Sequence, residues 1–288
     1  MHGAYQARPK SVRPDVVVLI PTCSDRAADI RIGYTLASLA MQDCGLLRIC
    51  VRDEGQVAIF TDRNVRLLWD HLARQGFELH YRRTATRRGV GAARSELISG
   101  VVPAEFALFV DDDMLLRPDA VRKLLECAAM HEEAGFFQGS KLQIDPQYTY
   151  LNDINQLNGE VVRTTPAEPI PILFGDAAFL LLRWSALALV DWDLVTRYPL
   201  PGLPGEDVLL TLMIADKLPA WGVPSAVAYH LAPEEKRWRW EIASDVLQLE
   251  LLRARVRPET LARALPHLSA YILSTHAELT SNDDQPSA

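Results

Sequence analysis

The sequence predicts an α/β fold: a mostly parallel, doubly wound sheet with helices on both faces. Three observations predict it. Strand-like apolar runs alternate four times with amphipathic helices up to about Gly135, and that alternation calls for crossover connections between parallel strands. The run Val16–Ile20 is apolar at every position, as a strand buried on both faces must be. The run Phe106–Val110 stops at three consecutive aspartates, Asp111, Asp112 and Asp113. Carboxylates are thereby set at the sheet edge where open α/β folds bind ligands.

Each element has its own local reason. Pro21 closes the first strand. The helix expected over Ile30–Met41 carries Ile32, Leu36, Leu39 and Ala40 on one stripe. Leu46–Val51 reads as a second strand, ended by the polar group Arg52-Asp53-Glu54-Gly55. Asn64–Gln75 has Val65, Leu68 and Leu72 on one face and Gly76 at its stop, the glycine position of a helix C-terminus. Phe77–Tyr81 is the third strand, Gly91–Gly100 a helix, Phe106–Val110 the fourth strand, and Pro118–Gly135 the helix after it. Beyond Gly135 the pattern loosens. Phe136–Ile144, Ala178–Arg183 and the short Ala226–His230 read as strands, Glu206–Lys217 and Glu241–Arg255 as helices, and Leu151–Pro171 as a polar, proline-punctuated stretch. A single domain over 15–279 is expected, in segments 15–135, 136–240 and 241–279, between a flexible start (1–14) and a disordered tail (280–288).

Composition bounds the function. The 288 residues are 49% apolar and 23% charged, an ordinary globular balance. With 30 Lys and Arg against 37 Asp and Glu the net charge is −7, which gives no general attraction to nucleic acid or anionic membrane. Cys23, Cys44, Cys50 and Cys127 form neither a CxxC pair nor a metal-finger spacing and read as reduced residues. The start lacks a signal-type apolar stretch, and the longest apolar runs fall far short of the roughly 20 residues that span a bilayer. The expectation is a cytoplasmic protein without integral membrane segments.

The aspartate triplet carries the chemistry. Three adjacent carboxylates repel one another, so a cation or nearby Arg and Lys must compensate. A divalent ion carrying phosphate oxygens does this with only one or two protein carboxylates. The plainer alternative is a solvated acidic turn ahead of the helix at Pro118. Placement directly after a buried strand favours the ligand role.

In this setting the chain resembles family 2 glycosyltransferases of the GT-A fold, from about Val16 to about His230. The opening strand and Pro-Thr turn appear as VVVLIPTCSD, and the helix L-x-S-L-x-x-Q as Leu36 to Gln42. The second strand ends as RICVRDEG, and GVGAARSEL stands for the family's G-x-x-x-A-R-N, with Ser95 in place of Asn. The D-x-D is Asp111-Asp112-Asp113, and Gly205-Glu206-Asp207 stands for a later G-E-D. The order of all these pieces is the specific signal.

The resemblance implies a nucleotide-binding first half and an acceptor-facing second half. Pro21 and Thr22 lie by the nucleoside, Asp53 accepts from the base, and Arg94 reaches base or pyrophosphate. Asp111 and Asp112 contact ribose or phosphate. Asp113 holds Mn²⁺ or Mg²⁺, assisted by Asp111 or His230. Asp207 is the general base of an inverting transfer, and Asp176, Glu206 and Trp184 are candidate acceptor contacts. Implied partners are a nucleotide-sugar donor, by family default UDP-linked, and a saccharide or small-molecule acceptor. Other readings stand beside these. Glu206-Asp207 also suits a first helical turn and its dipole, and a lone His230 also suits a structural place. Arg82 and Arg83 read as a solvated face, whereas Arg87 and Arg88 divide evenly between a face and a phosphate field. Tyr148, Tyr150, Trp184, Trp192 and Tyr198 suit sugar stacking or a core.

Departures from the family pattern are the missing aromatic residue after the Pro-Thr turn, where Ser24 stands, and Arg52 ahead of Asp53 instead of a double Asp. Competing functions are a sugar nucleotidyltransferase, disfavoured because PTCSDRAAD has no glycine-rich loop, and a non-catalytic carbohydrate-binding domain. The Arg- and Trp-rich run Lys236–Trp240 ahead of a helix permits a membrane-surface contact or a homodimer.

Overall fold

The computed structural model describes residues 15–27, 30–45, 47–84, 86–143, 168–197, 206–231 and 255–264. The sequence readings at 1–14, Tyr148, Tyr150, Tyr198, Lys236–Trp240, 280–288, and most of Leu151–Pro171 and Glu241–Arg255 lie outside them.

Among the described residues nine strands form one sheet: β1 (Val16–Thr22), β2 (Arg48–Asp53), β3 (Glu78–Arg83), β4 (Phe106–Val110), β5 (Met114–Leu116), β6 (Phe136–Gln143), β7 (Ile170–Pro171), β8 (Phe179–Arg183) and β9 (Ala220–His230). The helices are α1 (Ile32–Ala40), α2 (Arg63–Arg74), α3 (Val90–Ser99), α4 (Ala120–Met130), α5 (Trp192–Arg197) and α6 (Glu206–Ala215). Spatial order is β3-β2-β1-β4-β8-β6-β9-β5, with β7 against β9. Strands β3, β2, β1 and β4 are parallel, β8 runs antiparallel between β4 and β6, and β6 and β9 are parallel.

Two apolar layers explain the unbroken run in β1. Val16, Val18 and Ile20 face a core shared with Leu36 and Leu39 of α1, Val65 and Leu72 of α2, and Leu124 of α4. Val17 and Leu19 face the opposite layer, with Leu97 of α3, Val195 of α5 and Leu210 of α6. Each additional methylene removed from water there is worth about 0.8 kcal/mol, so no polar residue is tolerated on either side. Asp62 caps α2, its carboxylate accepting from the N–H groups of Asn64 at 2.7 Å and Val65 at 3.4 Å.

The structure differs from the sequence reading where local chemistry hid the pattern. Strand β9 begins at Ala220, six residues before the expected start. Its pairing with β6 jumps from Gly139↔Val223 to Ser140↔Val227. Pro224 lies within the skipped segment and has no N–H to give the ladder. Strand β3 extends past Tyr81 to Arg83, its polar residues suiting an edge position. The short β5 was not expected: three residues between the triplet and Arg117 pair with the end of β9. Helix α4 is shorter than Pro118–Gly135, ending at Met130 with His131 out of helical geometry at φ −127°.

Candidate functional site

Parallel pairing brings the C-terminal ends of β1, β2 and β4 to one edge of the sheet. Because β8 runs the other way, the residues just before it reach that same edge, as the pairing Val110↔Phe179 shows. Strand β9 also ends there, with His230 opposite Met114. Thr22, Asp111–Asp113, Asp176 and His230 therefore meet although they are scattered through the chain.

The triplet is held by its backbone. Asp111 N–H donates to the Ala178 carbonyl at 3.1 Å, and Leu231 N–H to the Asp113 carbonyl at 2.8 Å. Thr35 of α1 donates its hydroxyl to the Asp111 carbonyl at 3.3 Å and accepts from Met114 N–H at 3.0 Å. Thr22 donates to Oδ2 of Asp112. Asp113, buried, has Oδ1 at 3.3 Å from Nε2 of His230.

That pair is a hard oxygen beside an imidazole nitrogen, a donor set suited to Mn²⁺-type ions. Among the described residues no group of three or more His, Cys, Asp or Glu side chains is arranged to hold an ion. Two protein groups fit an ion whose remaining positions are filled by diphosphate oxygens and water. Asp111, Asp112, Asp113, Asp176, Glu206 and Asp207 gather here; Arg94 pairs with Asp111 and Glu206, and Lys141 with Asp176.

Asp176 is fixed from three sides. Lys141 of β6 pairs with its Oδ2, Ala178 N–H donates to its Oδ1 at 2.8 Å, and its own N–H donates to Oε1 of Gln138 at 2.7 Å. Gly175 N–H donates to the Thr211 hydroxyl at 3.0 Å, tying this turn to α6 one turn after Asp207. Asp207 accepts from Val208 N–H at 2.8 Å. Burial, then the charges of Glu206 and Asp176, push its carboxyl well above the usual carboxylate range. Lys141, Gln138 and Thr35 were not legible in the sequence, because each is a polar residue inside an element whose partners come from remote segments.

Several residues expected at the site have partners or places of their own. Arg94 is turned inward: its side chain is 3% exposed, donating Nη1 to Glu206 and Nη2 to Oδ1 of Asp111 at 3.0 Å. Glu206 is the buried partner of Arg94. Asp53 is fully buried and accepts from Gly55 N–H at 2.9 Å, Ile59 N–H at 3.1 Å and the Tyr81 hydroxyl at 2.7 Å. These bonds make it the organiser of the turn after β2. Trp184 follows Arg183, which pairs with Phe106 at the start of β4, so it lies at the opposite sheet edge, packed on the core. Trp192 also packs on that core. Pro21 is a buried strand residue opposite Arg52. Arg83, exposed on β3, donates to the carbonyls of Gly55 and Gln56, each at 3.0 Å, and so braces the same turn. Arg82 donates to the Gly100 carbonyl at 3.0 Å, Arg87 lies 3.6 Å from Asp25, and Arg88 pairs with Glu96.

The fold has solved counterparts. A mannosyltransferase, PcManGT from Pyrobaculum calidifontis in complex with GDP-Man and Mn²⁺, aligns at TM-score 0.63 with 18% identity, over 96% of this chain and 77% of that one. S. aureus TarS 1-349 in complex with UDP-GlcNAc aligns at TM-score 0.63 with 15% identity, over 90% and 73%. At such identities the likeness is one of fold, and that fold is GT-A. A search of curated proteins finds no match. The sequence profile of glycosyl transferase family 2 matches residues 17–188, which include β1, the triplet, Asp176 and β8. The chain belongs to glycosyl transferase family 2.

Proposed function

We propose that this glycosyltransferase is metal-dependent and inverting, moving one sugar from a nucleoside-diphosphate sugar to an acceptor hydroxyl. The carrying observation is the Asp113–His230 pair, 3.3 Å apart at the sheet edge to which Asp176 and Asp207 also belong. A bound Mn²⁺ or Mg²⁺ would neutralise charge on the departing diphosphate as a Lewis acid. Asp113 and His230 are the groups to hold it. Thr22 orients Asp112 beside the diphosphate. Asp207 takes the acceptor proton as the hydroxyl oxygen attacks the anomeric carbon opposite the leaving group. Its raised pKa makes it a stronger base than an ordinary aspartate.

The donor base is uridine by family resemblance, and the two solved counterparts, with GDP-Man and UDP-GlcNAc, do not choose between bases. With Asp53 turned inward, the base would be read by the turns after β1 and β2, around the exposed Cys23. The acceptor is a saccharide or small molecule. The four cysteines, none of them in a disulfide, support a reducing, cytoplasmic setting, and among the described residues no helix is long and apolar enough to cross a membrane. The test is release of nucleoside diphosphate from a panel of nucleotide sugars with Mn²⁺ and a pooled hydroxyl acceptor set. Release from one donor, stopped by chelator, supports the reading. Chelator-insensitive release, or a product that retains the donor's anomeric configuration, overturns it.

A further inference from the structure

Arg94 is the most completely buried cation near the site, and its contacts join three distant pieces of chain. It rises from α3, donates one nitrogen to Glu206 at the start of α6, and donates another to Asp111 at the end of β4. Its guanidinium carbon lies 5.6 Å from the centroid of the Phe109 ring. The planar fork is thus fixed by a ring on one side and two carboxylates along its edge. A lysine, a single point charge, could not span that pair in the same way. Burial works to lower the guanidinium pKa, but Glu206 and Asp111 more than offset this and hold it above its ordinary value.

A buried ion pair is weak evidence of stabilisation, since desolvation rivals the attraction. What this one supplies is geometry. Glu206 is the residue before Asp207, so fixing Glu206 fixes the backbone from which Asp207 projects. Asp111 is the first residue of the turn that carries Asp112 and Asp113. We infer that Arg94 is a positioning residue that sets Asp207 in register with the Asp111–Asp113 turn, and that it does not itself bind the donor. This inference rests on the function proposed above. Its consequence is a separation of effects: loosening the clamp moves the proton acceptor relative to the diphosphate site without removing any donor contact. A misplacement of about 1 Å costs on the order of 10²-fold in turnover.

The experiment uses the full chain with Arg94→Gln, Glu206→Gln and the double variant. Three quantities are read: kcat for sugar transfer, Kd for the nucleoside diphosphate with Mn²⁺ by calorimetry, and the melting temperature. The expected result is a fall in kcat on the order of 10²-fold in each single variant, with Kd within about threefold of wild type. The double variant should be no slower than the slower single one, because both substitutions break the same link. A Kd weakened about tenfold or more by Arg94→Gln but not by Glu206→Gln would make Arg94 a donor ligand and overturn the inference. So would unchanged kcat well below the melting temperature, or losses that multiply in the double variant. Should Arg94→Gln fail to fold, Glu206→Gln is isosteric and breaks the clamp from its other end, and its kcat and Kd decide alone. Wild type is titrated first. Failure of wild type to bind any nucleoside diphosphate with Mn²⁺ would overturn the proposed function and the inference with it, whereas the variant outcomes overturn the inference only.

Discussion

At the scale of single residues, Asp53 and Asp207 show how one residue type serves opposite ends. Asp53 has donors on both oxygens and no exposure. Asp207 accepts from the N–H of Val208 and has two repelling neighbours, Glu206 and Asp176. Replacing Asp53 by Ala strands Gly55 N–H, Ile59 N–H and the Tyr81 hydroxyl, at about 1–3 kcal/mol for each buried group left unpaired. Denaturant unfolding should record a loss of several kcal/mol; a loss under about 1 kcal/mol would be too small for this role. Asp207→Asn should cut transfer by about 10²–10⁴-fold with donor affinity kept. Wild-type kcat should fall as pH drops through the raised Asp207 pKa, because the base must be ionised, and the variant should lack that dependence. A native carboxyl with a raised pKa binds its proton more tightly than the unfolded chain does, so its contribution to stability declines as pH rises between the two pKa values. Removing it should leave the melting temperature at neutral pH equal to or above wild type; a clear drop would mean a structural role. The family resemblance gave the two aspartates different roles, but the surroundings that set their burial and charge, Tyr81 for one and Glu206 and Asp176 for the other, are contacts made by folding.

At the scale of elements, the turns after β1 and β2 act as one unit. Glu54 N–H donates to the Thr22 carbonyl at 2.9 Å and Val57 N–H to the Ser24 carbonyl at 3.0 Å. Gly55 permits this approach: a Cβ there would lie 2.5 Å from both N and O of Ser24, closer than backbone atoms allow. Gly55→Ala should therefore part the two turns and weaken nucleoside diphosphate binding by about tenfold, while changing kcat at saturating donor far less. Unchanged affinity would show that the donor does not use these turns. The strands and helices of the first half were legible because their apolar periods are clean and continuous. The second half was less so: Pro224 interrupts β9, and β5 has only three residues, too few for any period to register. Which sheet edge Trp184 occupies was not legible in the sequence; it followed only from β8 running antiparallel to β4.

At the scale of the whole molecule, the fold gathers carboxylates from the end of β4, the start of β8 and the start of α6. Lys141 and Arg94 are each committed to these carboxylates. Carboxylates brought this close favour a divalent ion and its diphosphate at this edge. The triplet and its place after β4 could be read from the sequence. The partnership of Asp113 with His230 could only be suspected, because more than a hundred residues separate them and β9 alone brings them to 3.3 Å. The most direct test is calorimetric titration of UDP, GDP and the other nucleoside diphosphates, with and without Mn²⁺, into wild type and Asp113→Asn. The account predicts that one of them binds wild type at least about tenfold more tightly with Mn²⁺, and that Asp113→Asn, still folded, loses that increment. Equal affinity with and without the metal, or an increment that survives in Asp113→Asn, would contradict it.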